Sequence, residues 1–258
     1  MPDLESTNLP LAGHRALVTS SSRNLGAQIA RTLAEQGAAV AVTYQGSEQL
    51  ARELVAELTD RTGTAHVVVK GDFREAEAVK RTVEAAQDGL GGIDILVNNF
   101  GPFSAVPFAE LPHETWETVW AGNVTTTYLA TQAVVPGMRA GGWGRIINLS
   151  AGSAYLRNHS IYGLAKQAVI TLTESLALEL GPEITVNAVA PGQVEESAED
   201  IGTIDPTFVE RAVERTPTGR LVTRSEVADV VAQLCTPAFD MLTGAVLPLD
   251  GGWRFNRF

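Results

Sequence analysis

Tyr162 and Lys166 stand four residues apart in Tyr162-Gly163-Leu164-Ala165-Lys166, a spacing that puts a phenol and an ammonium on one face of a helix. A phenol with its ordinary pKa near 10 moves protons poorly at neutral pH, and a lysine cation beside it favours the phenolate and lowers that value. Such a pair can act as a general acid or base. Helix surfaces also carry solvated Tyr–Lys neighbours with no chemical role, so the pair gains meaning only from what surrounds it.

A second chemical feature is the run Thr19-Ser20-Ser21-Ser22-Arg23-Asn24-Leu25-Gly26, which follows a strand-like stretch and opens a helix-like one. Free backbone N–H groups and the helix dipole at such a junction attract a pyrophosphate if the chain can come close. A turn of this kind usually carries three glycines, and here only Gly26 remains. Asn24 can replace a glycine because asparagine tolerates positive φ, whereas Ser20 is expected to fit only with a negative φ.

The elements that must position these groups follow from hydrophobic patterning. Strand-length apolar runs occur at Ala16–Thr19, Ala39–Tyr44, Ala65–Val69, Ile93–Asn98, Arg145–Leu149, Ile184–Val189 and Ala245–Leu249. Helical segments are expected at Asn24–Glu35, Ser47–Thr59, Glu75–Gln87, His113–Val135, Ser160–Leu180 and Ser225–Cys235, with Gly37, Gly63 and Gly181 as left-handed helix ends. Strands that re-enter one sheet in parallel cross over right-handedly, so the alternation predicts an α/β fold: a Rossmann-type, doubly wound, seven-stranded parallel sheet in a single domain. That domain runs over residues 13–258 behind a short polar lead at 1–12. The polar, acidic stretch Pro191–Pro206 reads as a mobile loop on the substrate side.

Composition narrows the function. A net charge of -11 argues against nucleic acid as a partner, since phosphate neutralisation needs a basic surface. The single cysteine, Cys235, excludes an intrachain disulfide and reads as a packed core thiol, and His14, His66, His113 and His159 lack metal-ligand spacing, so no metal is expected. Neither a signal peptide nor a membrane-spanning run is apparent, and the expectation is a cytoplasmic protein acting on a small molecule.

Taken in order, the motifs resemble the short-chain dehydrogenase/reductase family, in particular its 3-oxoacyl-carrier-protein reductase-like members, from about Gly13 to Trp253. Thr19 to Gly26 is similar to the family's glycine-rich turn except at Ser20 and Asn24. Asp72 matches its adenine-contacting aspartate, Asn98-Asn99-Phe100-Gly101 its NNAG, Asn123 its helix asparagine, and Pro191-Gly192 its PG turn. The resemblance implies that Tyr162 donates a proton to a substrate carbonyl, that Lys166 tunes Tyr162 and binds the nicotinamide ribose, and that Asn123 holds a water leading from Lys166. It implies cofactor contacts from Ser20, Ser22, Arg23 and Leu25 in the turn, from Tyr44 after the second strand, and from Asp72 and Phe73. Asn99 and Gly101 would line the ribose path, with Pro191, Gly192 and Val194 over the nicotinamide. Asn98 is either part of that site or a buried amide bridging strands, and Asp72 is either a cofactor contact or a solvated carboxylate. Phe100, Pro102, Phe103 and residues 193–207 would line an apolar substrate pocket. Family members often form tetramers, which implies a homo-oligomer built on the helices at His113–Val135 and Ser160–Leu180, with the aromatic end Trp253–Phe258 at a subunit contact.

One family residue has no counterpart. Counting from Gly144-Arg145-Ile146-Ile147-Asn148-Leu149 puts Ala151 at the place of the catalytic serine, and counting back from Tyr162 gives Leu149. Ser150 and Ser153 flank the place; Ser150 is the nearer and is taken as the catalytic hydroxyl. The missing serine and glycines leave an alternative open, a catalytically impaired nucleotide-binding protein acting as a sensor or partner subunit. For the cofactor, the second strand ends Val42-Thr43-Tyr44-Gln45-Gly46-Ser47 with no acid until Glu48, so nothing repels a 2′-phosphate, and Arg23 can bind one. NADP(H) is therefore expected over NAD(H), for hydride exchange with a carbonyl or alcohol.

Overall fold

A computed structural model describes residues 9–155, 160–202 and 205–255, with the backbone alone at 199–202. Seven strands form one all-parallel sheet: β1 (Arg15–Val18), β2 (Ala39–Tyr44), β3 (Val67–Lys70), β4 (Ile95–Asn98), β5 (Gly144–Leu149), β6 (Ile184–Pro191) and β7 (Val246–Leu249), in the order β3-β2-β1-β4-β5-β6-β7. The helices are α1 (Asn24–Glu35), α2 (Glu48–Thr62), α3 (Ala76–Leu90), α4 (His113–Trp120), α5 (Thr126–Gly141), α6 (Ile161–Leu180), α7 (Glu195–Gly202), α8 (Phe208–Glu214) and α9 (Arg224–Leu234).

Strand side chains alternate between the two faces of a sheet, and here both faces are buried. Ala16, Val18, Val40, Val42, Ile95, Val97 and Ile147 face α1 and α9, where Ile29, Leu33, Val227 and Val231 meet them. Leu17, Ala41, Leu96, Ile146 and Val186 face the other layer, packing on Val79, Val83, Val134 and Met138. The strand order reverses between β1 and β4, whose register pairs Val18 with Val97. At such a reversal the connections leave in opposite directions and open a crevice beyond the carboxyl ends of the strands.

Several sequence expectations need adjustment. The expected helix His113–Val135 is interrupted by a π-helical turn at Ala121–Thr125 and runs on to Gly141. The expected loop after Pro191 contains α7, whose pattern is too short and acidic to stand out, and α8 follows it. Gly37 and Gly63 are left-handed, but Gly181 has φ -67 and ψ 160, because Pro182 disfavours helical geometry in the residue before it. Leu11, assigned to the lead, is wholly buried and donates its N–H to the Gln36 carbonyl at 2.9 Å. His159, residues 1–8 and 256–258 lie outside the described residues.

His14, His66 and the cysteine serve packing, while His113 is exposed on α4 beside Glu117. His14 stacks on Trp143, His66 Nδ1 accepts from the Val40 N–H, and burial pushes the Cys235 thiol up to about 12. Among the described residues no helix is long and apolar enough to cross a membrane.

Candidate active site

The first βα turn is held by a closed set of hydrogen bonds. Thr19 Oγ1 accepts from the N–H groups of Asn99 and Phe100, both at 2.9 Å, and so ties the end of β1 to the end of β4 at the crevice. Ser21 Oγ donates to the Val18 carbonyl and accepts from the Thr43 N–H. The Asn99 side chain donates to the carbonyls of Thr19 and Ser20 at 2.9 and 3.2 Å. These bonds carry Ser20 to φ +55, correcting the expectation of a negative value, and Asn24 lies at φ +53. Both positions keep the conformation that glycine would adopt freely, because the surrounding bonds over-determine it. Gly26 is a steric requirement: a Cβ there would lie 2.3 Å from the Ser20 carbonyl oxygen and 2.7 Å from Asn99 Nδ2.

The turn delivers an uncapped helix. Arg23 occupies the N-cap of α1 without a side-chain capping bond, and the first turn holds no acid. Its side chain is exposed and forms no ion pair among the described residues. Ser22 and Leu25 flank it, half-buried. Beyond β2 and β3, Tyr44 is buried, while Asp72 accepts from Gln45 Nε2 and from the Arg74 side chain and N–H. Burial opposes ionisation of Asp72, yet the Arg74 hydrogen bonds outweigh it and hold the carboxyl below its usual range. Phe73 is buried against Phe100 and its carbonyl accepts from Thr126 Oγ1. Asn98 bridges strands: its amide donates to Asn148 Oδ1 at 2.9 Å, and Asn148 donates in turn to Thr173 on α6.

Ser160 caps α6 by accepting from the Gly163 N–H, which sets the first turn that carries Tyr162. One turn on, Lys166 is 4% exposed and donates from Nζ to the Leu149 carbonyl at 2.7 Å. Nζ lies 5.5 Å from the centroid of the Tyr162 ring. Burial brings the Lys166 ammonium down to about 8 and pushes the Tyr162 phenol up to about 12, so desolvation outweighs the lowering expected from the lysine.

The π-helical turn places Asn123. Such a turn holds an extra residue and shifts the side chains that follow it, and here it turns Asn123 inward. Its Nδ2 donates to the carbonyls of Val119 and Pro102, both at 2.9 Å, while its Oδ1 is buried with no hydrogen-bond partner. A Cβ at Gly101 would sit 2.2 Å from that Oδ1 and 3.0 Å from Lys166 Nζ, so the two polar atoms converge on a point that only glycine leaves open.

Tyr162 opens on a cleft of about 360 Å³ whose wall includes Phe103, Ala151, Ser153, Val194, Ser197 and Trp253. Phe103 meets the Tyr162 ring edge-on at 5.0 Å. Pro191 and Gly192 border the same cleft, and Gly192 is tight against the residue after β7, where a Cβ would lie 2.8 Å from Asp250 Cα. The two candidate serines separate here. Ser150 is buried and donates to the Lys166 carbonyl at 2.9 Å, whereas Ser153 lies on the cleft wall with its Oγ buried and unpartnered. Phe100 and Pro102 pack toward Gly122 instead of the cleft. Trp253, read from sequence as part of a subunit contact, forms cleft wall; only its aromatic character near the chain end marked it. Ser197 falls within the stretch 193–207 expected to line the pocket, whereas Gly152 carried no signal of its own in the sequence.

The chain and its fold have known relatives. Residues 19–254 match the family model described as enoyl-(acyl carrier protein) reductase. The 3-oxoacyl-[acyl-carrier-protein] reductase of Aquifex aeolicus is 34% identical, the match covering 95% of this chain and 98% of that protein. A structure described as a putative short-chain alcohol dehydrogenase from Sinorhizobium meliloti superposes with a TM-score of 0.90 at 34% identity, covering 97% of this chain and 100% of that one. A gluconate 5-dehydrogenase from Burkholderia cenocepacia, in complex with NADP and tartrate, superposes with a TM-score of 0.88 at 31% identity, covering 95% and 97%. The chain belongs to the short-chain dehydrogenase/reductase family and is an oxidoreductase resembling its 3-oxoacyl-carrier-protein reductase-like members.

Proposed function

We propose that this protein exchanges hydride between NADP(H) and a carbonyl or alcohol carbon, with Tyr162 as the general acid and base. The observation that carries the reading is the convergence of Tyr162, Lys166 and the unpartnered Asn123 Oδ1 beside a cleft at the carboxyl ends of the strands. The residues present fit a dinucleotide. The uncapped N-terminus of α1 supplies free N–H groups and a positive dipole end for a pyrophosphate, with Ser20, Ser22 and Leu25 as the backbone around it. Tyr44, Asp72 and Phe73 would border the adenosine, Asn99 and Gly101 the ribose path, and Pro191, Gly192 and Val194 the nicotinamide. The bound cofactor supplies or accepts the hydride.

In the reducing direction Tyr162 Oη gives its proton to the carbonyl oxygen as negative charge builds there. Lys166, displaced from the Leu149 carbonyl toward the ribose and phenol, stabilises the phenolate left behind, and its value near 8 leaves it largely charged at neutral pH. Lys166 then returns a proton to the Tyr162 phenolate, and Asn123 Oδ1 accepts a hydrogen bond from a water through which Lys166 regains that proton from solvent. For the hydroxyl that steadies the substrate oxygen, Ser153 replaces Ser150 as our assignment, because the Ser150 hydroxyl already serves the Lys166 carbonyl. The gluconate dehydrogenase relative was crystallised with NADP, and the exposed, unpaired Arg23 suits a 2′-phosphate here. The reading extends to a cytoplasmic homo-oligomer, by analogy with the family.

The test is Tyr162→Phe, which deletes one hydroxyl and keeps the ring. NADPH oxidation with a panel of ketones and diketones should fall about 10²- to 10⁴-fold, while NADPH binding measured by fluorescence stays within a factor of about two. Turnover retained at wild-type levels would remove Tyr162 from the chemistry.

A further inference from the structure

We propose that the substrate carries a carboxylate at the end remote from its reacting carbon, and that Arg215 binds it; this rests on Tyr162 as the reacting end of the cleft. The cleft does not stop at its own wall. Gln193 and Trp253 also line a second cavity of about 90 Å³, whose other walls are Phe208, Arg211, Ala212 and Arg215. The two cavities therefore adjoin, with Phe103, Val194 and Trp253 forming apolar wall nearer Tyr162 and two guanidinium groups standing at the outer end.

Those two guanidinium groups are not equivalent. Arg211 donates to the Asp205 carboxylate at 2.6 Å and is further held by Thr207. Arg215 makes no side-chain hydrogen bond or ion pair among the described residues. Arg15, Arg31, Arg61, Arg74, Arg220 and Arg254 each hold a carboxylate, whereas Arg215, like Arg23, holds none, and Arg215 alone of these two lines the cavity beside the cleft. A planar guanidinium presents paired N–H donors that match a carboxylate, and the exposed Arg215 shares its cavity with the apolar Phe208 and Trp253. One uncompensated positive charge, with its neighbour already neutralised by Asp205, suits a monoanion better than a doubly charged phosphate. The substrate class that fits is an oxo acid, or the matching hydroxy acid, with an apolar middle section spanning the two cavities.

The experiment uses straight-chain methyl-ketone acids of increasing length, each beside its methyl ester, with the enzyme holding NADP(H). Binding is measured by calorimetry and turnover by NADPH oxidation. At the best-fitting length the acid should bind about tenfold or more tightly than its ester. Arg215→Ala should erase that preference and leave ester binding unchanged, Arg215→Lys should keep part of it, and Arg211→Ala should leave it in place. Equal binding of acid and ester at every length, or a preference that survives Arg215→Ala, overturns the proposal. An acid that binds through Arg215 without being reduced would uphold the anion site and refute the hydride-transfer reading. Reduction of acids and esters alike with no preference would do the reverse.

Discussion

Two short turns at the carboxyl edge of the sheet, residues 19–26 after β1 and 150–155 after β5, solve opposite problems. In the first, the buried hydroxyls are used internally: the Thr19 hydroxyl takes two N–H groups, Ser21 both donates and accepts, and Asn99 clamps the carbonyls of Thr19 and Ser20. In the second, Ser153 Oγ is buried without a partner and Ala151 stands where the family's hydroxyl is expected. A turn fixed by its own hydrogen bonds holds its shape when residue types drift, which is why a serine can sit at φ +55. A turn that leaves a hydroxyl unsatisfied keeps that group for a ligand, because a buried polar atom without a partner carries a desolvation cost.

The sharpest way to break this contrast is to remove the two serines of the second turn separately. Ser153→Ala should lower kcat by about 10²-fold, the scale of one donor lost from a developing oxyanion. Ser150→Ala should change kcat only a few-fold, since its hydroxyl serves the Lys166 carbonyl, and should show instead as a loss of about 1 kcal/mol in urea unfolding. Equal loss of kcat in both variants would mean that the Ser150 bond to α6 is itself part of the catalytic geometry.

In the first turn the corresponding change is Arg23→Ala. It should raise KM for NADPH about 10- to 100-fold and leave KM for NADH nearly unchanged, the expected result of losing charge-assisted hydrogen bonds to a 2′-phosphate. Wild-type discrimination should weaken with added salt, because the side chain is exposed. Comparable losses with both cofactors would assign Arg23 to the pyrophosphate or to capping α1.

What was legible in the sequence divides along the same line. The sheet could be read because a parallel strand must be apolar on both faces, and Val40, Val42, Ile95, Val97, Ile146 and Ile147 meet that demand. Tyr162, Lys166, Asn123 and Gly101 could be read as a set because their order along the chain resembles a family pattern. The π-helical turn that delivers Asn123 could not, since its residues, Ala121-Gly122-Asn123-Val124-Thr125, continue an ordinary helical pattern. Nor could the engagement of the Ser150 hydroxyl, on which our assignment of Ser153 rests, since it depends on where the Lys166 carbonyl lies across 16 residues of chain. Arg215 and Trp253 meet only because α8 and the segment after β7 close over the same cavity.

Lys166 on α6 meets the start of the second turn through Leu149 and Ser150, and its burial gives a stability prediction of intermediate size. A lysine pushed from 10.5 to about 8 binds fewer protons folded than unfolded between those values, so its burial penalty is full below pH 8 and fades as pH rises to 10.5. At about 1.4 kcal/mol per unit the penalty is roughly 3.5 kcal/mol, less about 1 for the hydrogen bond to Leu149, leaving about 2 kcal/mol or somewhat more. Lys166→Met should abolish turnover yet stabilise the fold by about 2 kcal/mol at pH 7, with the gain shrinking toward pH 10. A variant less stable than wild type across this range would show that the Leu149 bond outweighs the buried charge.

The smallest expected effect tests whether the first turn is truly over-determined. A non-glycine residue in the left-handed region costs about 1–2 kcal/mol, and Ser20 is held there by bonds made by Thr19 and Asn99, its own hydroxyl making no hydrogen bond among the described residues. Ser20→Gly removes that cost but gives the unfolded chain more freedom, which returns about 0.5–1 kcal/mol. The net gain should be roughly 0.5–1 kcal/mol in urea unfolding, with cofactor affinity unchanged because the bonds that shape the turn are backbone and Asn99 bonds. Asn24→Gly should gain less, asparagine being the better tolerated residue at φ +53. If Ser20→Gly destabilises the protein or weakens cofactor binding tenfold, the serine side chain itself helps to build the turn, and the first region is less self-sufficient than its hydrogen bonds imply.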